Sequence, residues 1–220
     1  NIEWFTNEDI AFNKVVEGRT PKARGFIESK NMTIQTRKNL FDYVEGEDYH
    51  TLNQRSKINQ AKSIGAYSIT TADGMVYNYS LPVYNYETVS YSEYIKTNGD
   101  KKKQISVEPD KYVTNWLLTS IVGPDYIDVN NNEQDETDYR YTVEFDYGHF
   151  TDGYQWKFPY LEADETKYSW NLEVDVKSKT VGRKDIYYLN SIKTKSHTAY
   201  FIKDNRTDGL GSDNHIDYGY

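Results

Sequence analysis

The chain has 220 residues, 34 of them acidic and 26 basic, for a formal net charge of −8. That length suffices for one large domain or two small ones, and the acidic balance argues against nucleic acid as the main partner, because phosphate binding needs a basic face. Cysteine is absent, which removes disulfides, thiolate metal sites and cysteine nucleophiles together but leaves an oxidising compartment open, since a core of this size needs no staples.

No apolar run approaches the roughly 20 residues of a membrane helix, so no membrane span is expected. The sequence begins at Asn1 without a start methionine or a signal peptide, and reads as a mature product or a piece of something longer. Tyrosine is the outlier: 22 Tyr with 8 Phe and 4 Trp make 15% of the chain aromatic. Aromatic side chains suit a pleated, half-buried surface and pair across strands. The mean hydropathy of −0.87 by itself suggests disorder, but disordered segments are poor in aromatic and β-branched residues. The low value reflects polar residues alternating with Tyr.

Along the chain, Asn7 to Val16 reads as one short helix, with Asn7 as a cap and Ile10, Phe12 and Val15 as its apolar set. Residues 39–62 are polar with scattered apolar positions and read as a long connection. A hairpin follows: Ala66 to Thr71 leads through Asp73-Gly74 to a return over Met75 to Leu81. Asp-Gly between alternating runs favours a type I′ turn, whose two central residues need positive φ. Pro82 then closes the returning strand or places it at an edge. Further strands are expected at Val83 to Tyr94, Tyr112 to Val122, Asp185 to Thr194 and Ser196 to Lys203.

The clearest alternation runs from Tyr139 to Tyr147 and from Tyr168 to Val176. Tyr139, Tyr141, Val143, Phe145 and Tyr147 fall on one side, and Arg140, Thr142, Glu144 and Asp146 on the other. Such alternation predicts antiparallel strands with one wet face. The reading is therefore a mainly β chain, an antiparallel meander of hairpins forming a sandwich or a curved open sheet, with a short N-terminal helix and long polar loops. Its organisation is an N-terminal polar segment over 1–63, an antiparallel β domain over 64–204 and a loop-like tail over 205–220, rich in Gly and Asp and leading to a further module.

Candidate sites come from three patterns. Asp125 to Asp138 (DYIDVNNNEQDETD) is dense in oxygen side chains. Calcium takes six to eight hard oxygen ligands from such loops, which makes Asp128, Asn130, Asn132, Asp135 and Asp138 candidate Ca²⁺ ligands. The spacing matches a calcium loop at positions one, three and five only, since Glu133 replaces the usual Gly. The alternative is a solvated acidic turn. Trp156, in the Gly-containing run Asp152 to Trp156, pairs with Tyr154 as a stacking platform for sugar rings. Trp116 and Trp170 belong to strands and read as core. Catalytic patterns are weak: His50, His149, His197 and His215 are scattered with no metal spacing. Asp146, His149 and Asp152 lie close together after a strand, where a hydrogen-bonded turn is the plainer reading. Three N-glycan acceptor patterns, at Asn31, Asn78 and Asn205, are near chance in an Asn-rich chain, and Lys101 to Lys103 reads as an exposed turn.

Several phrases resemble a known family. Gly65 to Gly74 followed by Tyr77-Asn78-Tyr79, then Asn115-Trp116-Leu117-Leu118-Thr119-Ser120-Ile121 with Gly123-Pro124-Asp125, then Val143 to Gly148, and Ile186 to Ile192 with Thr194 and His197-Thr198-Ala199, are together similar to RHS/YD-type proteins. The likeness spans about residues 64 to 209 and points to very large secreted or surface proteins of Bacteroidota. These are structural phrases that carry no catalytic residues, and the regular short repeat of true YD arrays is missing. The resemblance implies an extracellular β-rich segment of a larger polypeptide, serving as scaffold, encapsulating wall or adhesive surface. Three functions follow as expectations: a non-enzymatic extracellular structural or interaction module that packs against neighbouring segments of a large assembly, possible calcium stabilisation included; a carbohydrate-binding module taking glycans; and a glycoside hydrolase built on two facing carboxylates.

Overall fold

The computed structural model describes residues 1–21, 24, 62–96, 98–108, 111–127, 129–130, 141–158 and 174–203. The elements in chain order are β1 (Ile2–Thr6), α1 (Asn7–Ala11), β2 (Ile64–Thr70), β3 (Val76–Lys96), β4 (Lys101–Glu108), β5 (Tyr112–Val122), β6 (Thr142–Phe158), β7 (Val174–Thr194) and β8 (Thr198–Tyr200). The chain is mainly β and antiparallel, with one short N-terminal helix, as its alternation predicts. Hydrogen bonding links β1-β2-β3-β5-β6-β7-β8 in that order, β4 pairs with β3, and a further β3–β7 ladder closes the circuit. The result is a small barrel with strands outside it. Closure depends on Asn85 to Lys96 pairing with Val174 to Lys184, a contact across some ninety residues that local alternation does not encode.

α1 is one turn long. Its N-cap is Thr6, whose hydroxyl accepts from the Asp9 N–H at 3.1 Å while the Asp9 carboxylate accepts from the Thr6 N–H at 3.0 Å, a reciprocal capping box. Asn7, expected as the cap, is instead the first helical residue and fully buried. Ile10 is buried, but Phe12 and Val15 lie past the helix end and are exposed, so the expected apolar set reduces to Ile10. The helix stops early because Asn13 takes a left-handed φ of 48°.

The Asp73-Gly74 hairpin is present with a different turn. Only Gly74 has positive φ (+85°), the Gly74 N–H donates to the Thr71 carbonyl, and Thr70 pairs with Val76. This is the longer hairpin loop with one left-handed residue, held because the Asp73 carboxylate accepts from the Thr71 hydroxyl and the Met75 N–H. Pro82 neither ends β3 nor sits at its edge: the strand runs on to Lys96. Pro82 falls after the β2 ladder stops at Tyr79 and before the β7 ladder starts at Asn85, where no donor to either strand is required. β5 spans the residues expected of it. Lys101 to Lys103 opens strand β4 rather than forming a turn, with the turn just before it at Asn98 to Asp100. β6 continues to Phe158, so the run containing Trp156 is strand and not loop.

The chain divides into two compact units. One comprises 1–83, 115–150 and 187–204. Its core gathers Phe5, Ile10 and Ala66, with Val16 packed against them, and Leu81, Val122 and Val143 are buried in the same unit. It also buries a polar set: the Asn78 amide donates to the Ser120 hydroxyl at 3.0 Å, and Ser80 and Thr119 share a 2.6 Å bond. The other comprises 84–114, 151–186 and 205–220, with Tyr84, Val89 and Val181 buried. The wet and dry sides expected of Tyr139 to Tyr147 separate only in part. Val143 is buried, but Tyr141 precedes the strand and is exposed, and Glu144 and Asp146 are half-buried like Phe145 and Tyr147. Asp146 is covered because Asn190 and Lys203 close over it, as described next. Residues 39–61, 204–220, and 168–173 of the second alternating run lie outside the described residues.

Candidate functional site

In the first unit, β1, β2 and β3 present an aromatic face. Register sets Trp4 opposite Tyr67 and Tyr67 opposite Tyr79, with Ile2, Ile69 and Tyr77 forming the adjacent row. Side chains alternate sides along a strand, so the opposite set, Phe5, Ala66, Ser68 and Asn78, is the buried one. Tyr67 and Tyr79 stack at 4.8 Å and 14°, and Trp116 meets Tyr67 edge-on at 5.7 Å. Stacking turns the two tyrosine faces toward each other, while burial, aided by Tyr79, raises the pKa of the Tyr67 hydroxyl. Trp4 remains 59% exposed and Ile2 67%. The face offers apolar contact area rather than a chemical group.

The same unit holds a charge relay. Asn190 is fully buried on β7. Its side-chain carbonyl accepts from Lys203 Nζ at 2.8 Å, and its amide donates to the Asp146 carboxylate on β6. Lys203 Nζ also donates to the Leu189 carbonyl. Burial pushes Asp146 up to about 6, against the opposing pull of the Asn190 bond and the Lys203 charge, with Glu144 adding to the rise. Burial likewise lowers Lys203. Both groups thus move toward neutrality, and the network fastens the segment after β8 to β7. Of the Asp146, His149 and Asp152 grouping, His149 instead meets the Tyr187 ring at 4.8 Å; the side chain of Asp152 lies outside those described.

In the second unit Asp185, 2% exposed, accepts from the Tyr84 N–H at 3.0 Å and the Tyr86 hydroxyl at 2.9 Å. Tyr86 is the extra residue where the β3–β7 register shifts, and its ring carries Lys111 at 4.7 Å and Arg183 at 5.1 Å. This carboxylate anchors a β-bulge. The sequence offered no sign of it beyond an acidic residue in a strand.

Of the expected calcium ligands, Asn130 is described and exposed, while Asp128, Asn132, Asp135 and Asp138 lie outside the described residues. Tyr154 and Trp156 are half-buried on β6. The Trp156 indole lies directly over Gly182 of β7: a Cβ added there would come within 2.6 Å of the ring. One face of the ring therefore covers backbone that has no side chain of its own. His197 is exposed and hydrogen-bonded to the Ser196 hydroxyl at 2.8 Å; His50 and His215 are not described. The acceptor pattern at Asn78 is buried in the folded chain. No described helix is long and apolar enough to cross a membrane.

Searches of family models, curated proteins and solved structures find no match for this chain.

Proposed function

We propose that this chain is a non-enzymatic structural or interaction module of a large secreted or cell-surface assembly, similar to RHS/YD-type segments, whose partners are neighbouring stretches of polypeptide. The observation that carries this reading is the exposed pair Ile2 and Trp4 beside the half-buried Tyr67 and Tyr79 stack, where two large apolar side chains stay in solvent next to a covered core. The charged groups fit the same role, since Asp146 and Asp185 are both engaged in fastening strands. The test is calorimetric titration of the 220-residue chain with the segments flanking it in its open reading frame, alongside protease shaving of intact cells. Binding that weakens at least tenfold in Trp4→Ala, with surface loss of the chain on shaving, supports the proposal. Absence of binding together with protection from shaving overturns it.

Carbohydrate binding is the second reading, favoured by the exposed Trp4 indole and by the half-buried pair Tyr154 and Trp156. The expected result is retardation in polysaccharide gels that Trp156→Ala or Trp4→Ala relieves. Unchanged migration of the parent chain across a polysaccharide panel removes this reading.

A further inference from the structure

Among the described residues, β1 pairs on one side only, with β2. Asn1 and Thr70 exchange main-chain bonds: the Thr70 N–H donates to the Asn1 carbonyl at 2.8 Å, and the Asn1 main-chain nitrogen donates to the Thr70 carbonyl at 2.9 Å. In an antiparallel ladder such bonded pairs alternate with non-bonded ones. Glu3 opposite Ser68 and Phe5 opposite Ala66 continue the bonded set, so Ile2 and Trp4 direct their N–H and C=O groups to the open side. These two residues are 67% and 59% exposed. Thr6 is withdrawn from the edge by its bond to Asp9.

An open strand edge is a template for another strand, and proteins blunt it with lysine, proline, bulges or short length. The other edges do this: β4 begins Lys101-Lys102-Lys103, and β8 is three residues long. β1 is itself short, but its Ile2-Glu3-Trp4 stretch carries no lysine or proline, and the register shift of its ladder falls after it, at Phe5 and Thr6.

We propose that β1 pairs antiparallel with β1 of a second copy of this chain, about a two-fold axis through Glu3. In that register Ile2 of one copy faces Trp4 of the other, and both outward-directed residues exchange main-chain bonds. Each pair is aromatic against β-branched, a favourable cross-strand combination. The Trp4, Tyr67 and Tyr79 row then continues across the axis into the Ile2, Ile69 and Tyr77 row of the other copy, and each Trp4 gains an apolar neighbour beside it. The two Glu3 side chains meet on the other side of the sheet, each already ion-paired with its own Arg24, so the like charges meet neutralised. The contact is isologous and closes at two copies. It does not rest on the surface-module reading, because a dimer can form whether or not flanking segments bind.

Sedimentation of the full 220-residue chain over a range of concentrations tests this. A reversible monomer–dimer equilibrium is expected, shifted at least tenfold toward monomer by Ile2→Lys and by Trp4→Lys with circular dichroism unchanged. The chain has no cysteine of its own, so Glu3→Cys gives a second readout. Residues at a non-bonded antiparallel pair have Cα atoms about 4.5 Å apart, within disulfide reach. Oxidation is expected to link Glu3→Cys into covalent dimers while Val107→Cys on β4 stays largely monomeric. A parent chain that stays monomeric with no cross-link in Glu3→Cys overturns the proposal. So does a dimer that Glu3→Cys fails to trap, since that contact lies elsewhere.

Discussion

Asp146 is the residue at which solution conditions should act most directly. Its carboxyl holds a proton up to about 6 when folded, against 3.8 ordinarily, so the folded chain binds that proton more tightly than the unfolded chain. The resulting stability is fully present below pH 3.8 and is lost as pH rises through about 6. Removing the ionisable group should lift the penalty at high pH. Asp146→Asn is expected to be more stable than the parent at pH 8 by about 1–2 kcal/mol, after discounting for solvent screening, and to show little advantage at pH 4. Urea denaturation at the two pH values reads the difference. Gly182 is constrained from the opposite direction. A methyl there collides with the rigid middle of the Trp156 indole rather than with a flexible tip. Gly182→Ala should therefore lose about 1–3 kcal/mol, and near-ultraviolet circular dichroism should report the displaced tryptophan.

β3 takes four different partners along its length, and its irregularities fall where they change. Pro82 lies between the β2 and β7 ladders, and Tyr86 is the extra residue at the start of the latter. Asp185 fixes that extra residue through two bonds. Asp185→Ala leaves the Tyr84 N–H and the Tyr86 hydroxyl without that acceptor, and is expected to destabilise by about 2–3 kcal/mol. Asp185→Asn, which keeps an acceptor, should lose less; thermal melts of both variants order them. Elements with local signals were legible in the sequence. Tyr112 to Val122 and the Asp73-Gly74 hairpin needed only alternation and a turn residue. β4 was not legible, because Lys101 to Gln104 has no apolar member and its strand geometry comes from pairing with β3. β1 is five residues long and belongs to the sheet through a partner about sixty positions away. The relay shows the same limit. Asp146 stood out beside His149 and Asp152, yet the groups that engage it, Asn190 and Lys203, reach it only through strand order.

At the scale of the whole molecule, the acidic stretch from Asp128 to Asp138 makes its own prediction. A cation bound only by the folded chain stabilises it in proportion to the logarithm of its concentration over Kd. Millimolar Ca²⁺ is expected to raise Tm relative to chelator, by about 2–4 °C for each kcal/mol gained in a chain of this size. Differential scanning calorimetry decides it, and an unchanged Tm retires the calcium assignment. The mainly β character was legible from composition alone, through tyrosine and the scarcity of helix formers. The closing β3–β7 ladder was not, because no short-range pattern announces it.

The partition into two units has a further consequence. Each is assembled from three separate stretches, and the chain passes between them near residues 83, 114, 150, 186 and 204. No pair of genetic breakpoints excises one as an uninterrupted coding fragment. A recombination event that moves either unit into another gene therefore has to carry stretches of the other with it.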